Sequence, residues 1–114
     1  MAMQVLFAGV PVRDFSAAHE FYVRLFGRAP EVVAHETEVM WRVTDGGWVY
    51  IVEDPERAGR SLVAIAVADL QETLDELAAR GLRVGPVEPQ GDAARKATVT
   101  DPDGNVVAFL EVDG

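Results

Sequence analysis

The chain contains one pattern twice, and this internal duplication constrains its fold more than any other feature. The segment VPVRDF at residues 10–15 matches IAVADL at residues 65–70 at an offset of 55 residues, with their aspartates in register. Farther along, DGGWVYIVE at residues 45–53 matches DGNVVAFLE at residues 103–111 at an offset of 58 residues. Two matches in the same order at similar offsets indicate a duplicated module, because self-similarity of this kind marks a repeated structural unit.

Local patterns predict the same order of strands in both copies. Each copy opens on an apolar run rich in Val and Ile, at residues 4–12 and 61–67, which is typical of a strand. Further strands are predicted at about 31–34, 38–43 and 48–53 in the first copy, and at about 83–87, 95–100 and 105–112 in the second.

A helix is predicted between the first and second strands of each copy. Asp14 and Asp69 each precede apolar residues at helical spacing, which is the position of a helix N-cap. Gly27 and Gly81 follow the last apolar residues and predict the helix ends. Each copy therefore reads as strand, helix and three strands.

The polar segment at residues 54–60 contains both Pro and Gly and predicts a linker between the copies. We expect a single domain at residues 1–114, with module one at 1–54, a linker at 55–60 and module two at 61–114.

Composition excludes several classes of function. Nineteen acidic residues against ten basic ones give a net charge of -9, which repels a phosphate backbone, so we expect no nucleic-acid partner. The absence of Cys excludes disulfides, thiolate metal sites and a cysteine nucleophile. No apolar run approaches the roughly 20 residues that cross a bilayer, and no signal peptide is recognisable at the start, so we expect no membrane partner and a cytoplasmic location.

The sequence resembles the vicinal oxygen chelate superfamily, which includes glyoxalase I, bleomycin-resistance proteins and extradiol dioxygenases. Residues 10–15, continuing to Phe21-Tyr22 and to LFG at residues 25–27, resemble the opening of that family, and TDPDGN at residues 100–105 resembles its closing turn. The resemblance implies an α+β fold of two βαβββ modules, whose curled mixed sheets surround a shared cleft. It also implies that a second subunit commonly completes the cleft, so we expect a homodimer.

Alternation of side chains along the strands predicts an apolar, aromatic cleft. Phe7, Trp48 and Tyr50 fall on the face that points away from the first helix, and Trp41 is a candidate fourth wall. The same aromatic residues would also serve to fill the cleft or a dimer interface.

For the metal-dependent members, the resemblance implies four ligands from the first and last strands of the modules. Those positions correspond here to Phe7, Tyr50, Leu62 and Ala108. Phe, Leu and Ala have no donor atom for a cation, and one Tyr cannot replace a set of oxygen or imidazole ligands. We therefore expect no metal and no cofactor.

Other residues do not form a recognisable site for catalysis or metal binding. His19 and His35 are the only histidines, and neither belongs to a paired ligand motif. Ser16 and Ser61 lack a nucleophile-elbow context and an assignable histidine base. The sequence thus predicts no catalytic residue.

The leading hypothesis is a metal-independent protein that binds an aromatic or cationic organic ligand, of the drug-sequestration or resistance type. Its predicted ligand-binding residues are Phe7, Trp41, Trp48, Tyr50, Leu62 and Ala108. The alternatives are a lyase, isomerase or dioxygenase of the same superfamily with relocated catalytic or metal-binding residues, and an interaction module that binds no small molecule.

Overall fold

The structure is a computed structural model, and it describes residues 1–112 of the chain. The first module contains β1 (Leu6–Val12), α1 (Phe15–Phe26), β2 (Val32–His35), β3 (Glu38–Thr44) and β4 (Gly47–Glu53). The second module contains β5 (Leu62–Ala66), α2 (Leu70–Ala79), β6 (Glu88–Gln90), β7 (Ala94–Thr100) and β8 (Val106–Val112).

The two modules have the same sheet topology. The strand order is β1-β4-β3-β2 in the first sheet and β5-β8-β7-β6 in the second. The first strand of each module runs parallel to the last, and the remaining neighbours are antiparallel. Phe7 pairs with Trp48 in the first sheet. The corresponding residues of the second copy, Leu62 at an offset of 55 and Val106 at an offset of 58, pair in the second sheet. The strand registers therefore agree with the two sequence offsets. The predicted α+β fold with two βαβββ modules is confirmed.

The predicted helix boundaries are also confirmed. Asp14 Oδ1 accepts a hydrogen bond of 3.2 Å from the backbone N–H of Ala17 at the start of α1. Asp69 Oδ1 accepts one of 3.0 Å from the backbone N–H of Glu72 at the start of α2. These bonds satisfy N–H groups that have no partner inside a helix. Gly27 ends α1 with a φ of 74°, a left-handed conformation that favours glycine.

Both helices cover the same side of their sheets, and the two modules share one hydrophobic core. The core joins side chains from β1, β4, β5 and β8 with the apolar sides of α1 and α2. Its central members include Val10, Val12, Tyr22, Val49, Ile51, Leu74, Leu77, Val107 and Phe109. The alternation predicted for the first and last strands of both modules is therefore confirmed on the helix side.

The predicted strand at 83–87 is wrong, because the observed β6 is Glu88–Gln90. Gly85 donates one backbone hydrogen bond of 2.9 Å to Thr98, but Pro86 has no N–H and interrupts a ladder there. Continuous pairing starts only beyond it, with Glu88 opposite Lys96. The other predicted strands begin and end within two residues of the observed ones.

Among the described residues, neither helix has the length and apolar character needed to cross a membrane.

Candidate functional site

The face of the first sheet that points away from α1 carries three aromatic side chains. Phe7 in β1 and Trp48 in β4 are register partners, and their rings stack with centroids 6.1 Å apart and an interplanar angle of 29°. Tyr50 lies two residues farther along β4 and therefore on the same side. We call Phe7, Trp48 and Tyr50 the aromatic face.

Gly9 creates the space that the Tyr50 ring occupies. The two residues are register partners in the parallel pair of β1 and β4. A Cβ atom built on Gly9 would lie 2.5 Å from Tyr50 Oη and 2.6 Å from Tyr50 Cζ. The end of the Tyr50 ring thus lies directly over the backbone of Gly9, and a side chain at position 9 would displace it.

The aromatic face is accessible from outside the chain. Phe7 is 52% exposed, and Trp48 and Tyr50 are half-buried. Single exposed apolar residues are ordinary, but adjacent aromatic rings that stack while exposed are typical of a surface that binds a partner or a ligand.

The two remaining predicted site residues, Leu62 and Ala108, lie in the second sheet. Leu62 is 73% exposed, and its register partner is Val106. Ala108 is only 5% exposed, because it lies in the central strand β8 with Ala64 and Thr98 as its neighbours across the sheet. Leu62 is therefore available for contact, whereas the methyl group of Ala108 is largely shielded.

The expectation that Trp41 lines the cleft is wrong. Its side chain is fully buried, and its ring lies in the core with centroids 5.2 Å from Phe26 and 6.3 Å from Tyr22. Its Nε1 donates a hydrogen bond of 3.0 Å to the carbonyl oxygen of Arg28. The alternation of β3 explains this position, because Val39 is buried on the same side, and that signal was present in the sequence.

The positions that would hold the family's metal do not offer a suitable set of donors. The side chains of Phe7, Leu62 and Ala108 contain only carbon and hydrogen, which leaves the Tyr50 hydroxyl as a single oxygen. Within residues 1–112, no group of three or more His, Asp or Glu side chains is arranged to hold a metal ion.

No observed contact joins His19 or His35 to the aromatic face. His35 is exposed in β2, where its Nδ1 accepts a hydrogen bond of 3.2 Å from Thr37 and its Nε2 lies 3.5 Å from Glu38. His19 is half-buried in α1 and contacts the rings of Phe15 and Trp41. Both therefore have structural neighbours that explain their positions.

Sequence reasoning missed a buried polar network that holds the two modules together. Asp101, in the turn before β8, accepts hydrogen bonds of 2.9 Å from both the Tyr22 hydroxyl of α1 and the Asn105 amide. Its other oxygen accepts bonds from the backbone N–H groups of Asp103 and Asn105. Burial, followed by the negative charge of Asp101, raises the pKa of Tyr22 far above its usual range, so the hydroxyl remains a donor.

Asn105 extends this network in two directions. Its Nδ2 donates a hydrogen bond of 2.8 Å to the carbonyl oxygen of Pro11 in β1. Its Oδ1 accepts bonds from the backbone N–H of Gly59 and from both the backbone N–H and the hydroxyl of Ser61. The sequence signal for this network is the TDPDGN segment at residues 100–105. Its composition predicts a turn, but it does not show that the turn contacts the other module.

Comparison with known proteins gives a family and several similar structures. The family described as the Glyoxalase/Bleomycin resistance protein/Dioxygenase superfamily matches residues 4–109. A glyoxalase/bleomycin resistance protein from Catenulispora acidiphila DSM 44928 has 42% sequence identity and a TM-score of 0.88, over 95% of this chain and 97% of that one.

Two further solved structures resemble the chain at lower identity. TnmS3, an antibiotic binding protein from Streptomyces sp. CB03234, has 25% identity and a TM-score of 0.74, over 96% of this chain and 95% of that one. A bleomycin-binding protein complexed with bleomycin has 21% identity and a TM-score of 0.77, over 95% of this chain and 98% of that one. None of the curated protein sequences matches this chain significantly.

Proposed function

Because the chain belongs to the glyoxalase/bleomycin resistance protein/dioxygenase superfamily, we propose that it is a metal-independent protein of the drug-sequestration or resistance type that binds an aromatic or cationic organic ligand. The observation that carries the proposal is the exposed stack of Phe7 on Trp48. Tyr50 extends this surface, and Leu62 and Ala108 are the proposed contributions of the second sheet.

The chemistry of the aromatic face suits a flat ligand that carries positive charge. A planar ring that stacks on Trp48 or Phe7 gains about 0.5–1.5 kcal/mol per contact beyond the burial of its area. A cation over the face of Trp48 or Tyr50 adds about 0.5–2 kcal/mol, depending on how far it is desolvated. The net charge of -9 attracts cations and favours their approach.

Two relatives support a binding role. TnmS3 binds an antibiotic by its name and has 25% identity to this chain over nearly its whole length. The bleomycin-binding protein has the same fold, and its structure contains bleomycin. A fold of this type hosts many functions, so a binding role for this chain requires its own aromatic residues.

The proposal includes a homodimer in which a second copy of the chain covers the open sheet faces and completes the cleft. Phe7 and Leu62 are each more than half exposed, which favours a partner surface. Sedimentation velocity at micromolar concentration tests the dimer, and a persistent monomer would contradict it.

The ligand proposal is tested with proflavine, a planar cationic dye, through its fluorescence anisotropy. We expect saturable binding that Trp48→Leu weakens about 5- to 30-fold, which corresponds to about 1–2 kcal/mol. Phe26→Leu is the matched control, because Phe26 is a half-buried aromatic residue that contacts Trp41 and Tyr22 in the core. The affinity of Phe26→Leu for proflavine should equal that of the wild type.

Two further measurements address charge and metal. Naphthalene-2-sulfonate, a planar anion, should bind more weakly than proflavine because of the acidic charge of the protein. Proflavine affinity should survive dialysis against EDTA. Unchanged binding in Trp48→Leu would contradict the assignment of the aromatic face, and loss of binding after EDTA would contradict metal independence.

A further inference from the structure

The two modules meet at two places related by the duplication, and the buried polar network of Asp101 and Asn105 joins them at one of the two. At the filled junction, the turn before β8 contacts the end of β1, with Asn105 bound to Pro11 and Asp101 bound to Tyr22. At the related junction, the turn before β4 lies near β5. There Val43, Thr44 and Gly47 line a common cavity with Ile65 and Ala66.

Strand register identifies the residues that correspond to the polar network. Gly47 pairs with Leu6, and the related position Asn105 binds Ser61, so Gly47 occupies the place of Asn105. Val43 precedes Gly47 by the same distance as Asp101 precedes Asn105. The amide that fills the first junction therefore has no counterpart at the second, and an apolar valine replaces the carboxylate.

A cavity of about 240 Å³ lies at this second junction. Its apolar lining includes Leu6, Ala8, Val43, Val49, Val63 and Ile65. A second cavity of about 230 Å³ shares Val43 and Ile65 and extends to Leu77 in α2, at the position related to Tyr22.

The lining determines which ligands the cavity can accept. Ala8, Val43, Val63 and Ile65 pack against the hydrophobic core but remain only partly buried, so apolar core surface is open here. None of the described side chains that line it is charged, and a charged ligand would lose its hydration without a partner. Apolar cavities of roughly 150 Å³ accept benzene, so this volume is sufficient for a single ring with a short substituent.

We propose that this junction cavity is a second binding site, which takes an uncharged, single-ring aromatic molecule. Its walls combine residues that pack against the core, such as Ala8, Val63 and Ile65, with exposed residues at its opening. It is distinct from the aromatic face, although Trp48 borders both. The duplication explains its origin, because Asn105 reaches the neighbouring module at one junction, whereas Gly47 has no side chain to do so at the other. The Thr44 hydroxyl lies beside Gly47, 2.6 Å from where a Cβ atom would be, and both residues line the cavity.

Toluene and benzoate are the matched probes, since they have similar size and differ in charge. Methyl-labelled protein is titrated with each, and the methyl resonances of Ala8, Val43, Val63 and Ile65 are followed by NMR. We expect saturable shifts of these resonances with toluene and no saturable shift with benzoate. Equal responses to both probes, or toluene shifts confined to Leu62 and other open-face methyls, would overturn the proposal.

Ala8→Leu adds side-chain volume inside the cavity and should weaken toluene binding tenfold or more. Ala34→Leu is the control, because Ala34 is exposed in β2 and outside the cavity lining, and it should bind toluene like the wild type. Proflavine binding should be unchanged in Ala8→Leu, so failure of this site is distinguishable from failure of the aromatic face. Unchanged toluene affinity in Ala8→Leu would contradict the assignment.

Sedimentation of both variants tests whether a second copy of the chain occupies the cavity instead. Toluene affinity that falls as protein concentration rises, together with a dimer that Ala8→Leu disrupts, would assign the cavity to a subunit interface and overturn the ligand proposal.

Discussion

The Tyr22 hydroxyl in α1 donates a hydrogen bond of 2.9 Å to Asp101, although the two residues are 79 positions apart in the sequence. This buried contact links the helix of the first module to a turn of the second. The orientation of the two sheets therefore depends on a few polar groups as well as on the shared hydrophobic core.

Removal of the Tyr22 hydroxyl should destabilise the protein. In Tyr22→Phe, Asp101 loses one donor inside the core, and we expect the free energy of unfolding to fall by about 1–3 kcal/mol. Urea unfolding followed by circular dichroism measures the change. Tyr50→Phe is the matched control, because this tyrosine lies on the half-buried aromatic face, and its effect should stay within about 0.5 kcal/mol. Equal effects of the two variants would contradict a special role of Tyr22.

Asn105→Ala should be more damaging than Tyr22→Phe. Asn105 is fully buried and bonds to Pro11, Gly59, Ser61 and Asp101, so its removal leaves several polar groups without a partner. We expect a loss of about 3–5 kcal/mol, measured by the same urea unfolding.

The matched control for Asn105→Ala is Asp45→Ala, in the related turn of the first module. The Asp45 side chain is fully exposed, so its removal should change the free energy of unfolding by less than about 0.5 kcal/mol. If Asn105→Ala lowered the free energy of unfolding by less than about 1 kcal/mol, a major contribution of this network to stability would be contradicted.

Gly9→Ala should change ligand binding more than stability. The added Cβ would meet the end of the Tyr50 side chain, which can move away, so the main result is a displaced ring on the aromatic face. We expect proflavine affinity to fall about 3- to 10-fold, because one ring contact is worth about 0.5–1.5 kcal/mol. In a Tyr50→Leu background the same change should have no further effect on affinity. An equal loss in both backgrounds would mean that Gly9 acts independently of Tyr50.

The contribution of Glu111 to stability should depend on pH. The backbone N–H of Leu70, at 2.8 Å, and then the Arg95 guanidinium, at 2.6 Å, lower the pKa of Glu111 below its usual value. Since the folded pKa lies below the unfolded one, the stabilisation is present above the unfolded pKa and is lost as the pH falls through the folded pKa.

Glu111→Gln should therefore lower the Tm at neutral pH, and its difference from the wild type should shrink as the solution becomes acidic. Calorimetry across this pH range measures the effect, and Glu20→Gln on the exposed side of α1 is the control. A Tm difference between Glu111→Gln and the wild type that grows toward acid pH would contradict a lowered pKa of Glu111 in the folded protein.

Local patterns in the chain were sufficient for much of the fold. Asp14 and Asp69 cap their helices as the sequence predicts, and Val10 and Val49 lie on the helix side of their strands. These features depend on neighbouring residues and on the twofold alternation of a strand, so they can be read without tertiary information. The same alternation, applied to β3, would have placed Trp41 in the core.

The sequence by itself determined the duplication, the order of the elements, and the alignment of Phe7 with Trp48 and Tyr50 on one face. Only the tertiary structure decided how the two modules meet. The contacts of Tyr22 and Asn105 join positions far apart in the chain, and such pairings depend on the packing of whole elements. The two junctions differ for the same physical reason: Asn105 bonds across one of them, whereas a cavity lined by Gly47 lies at the other.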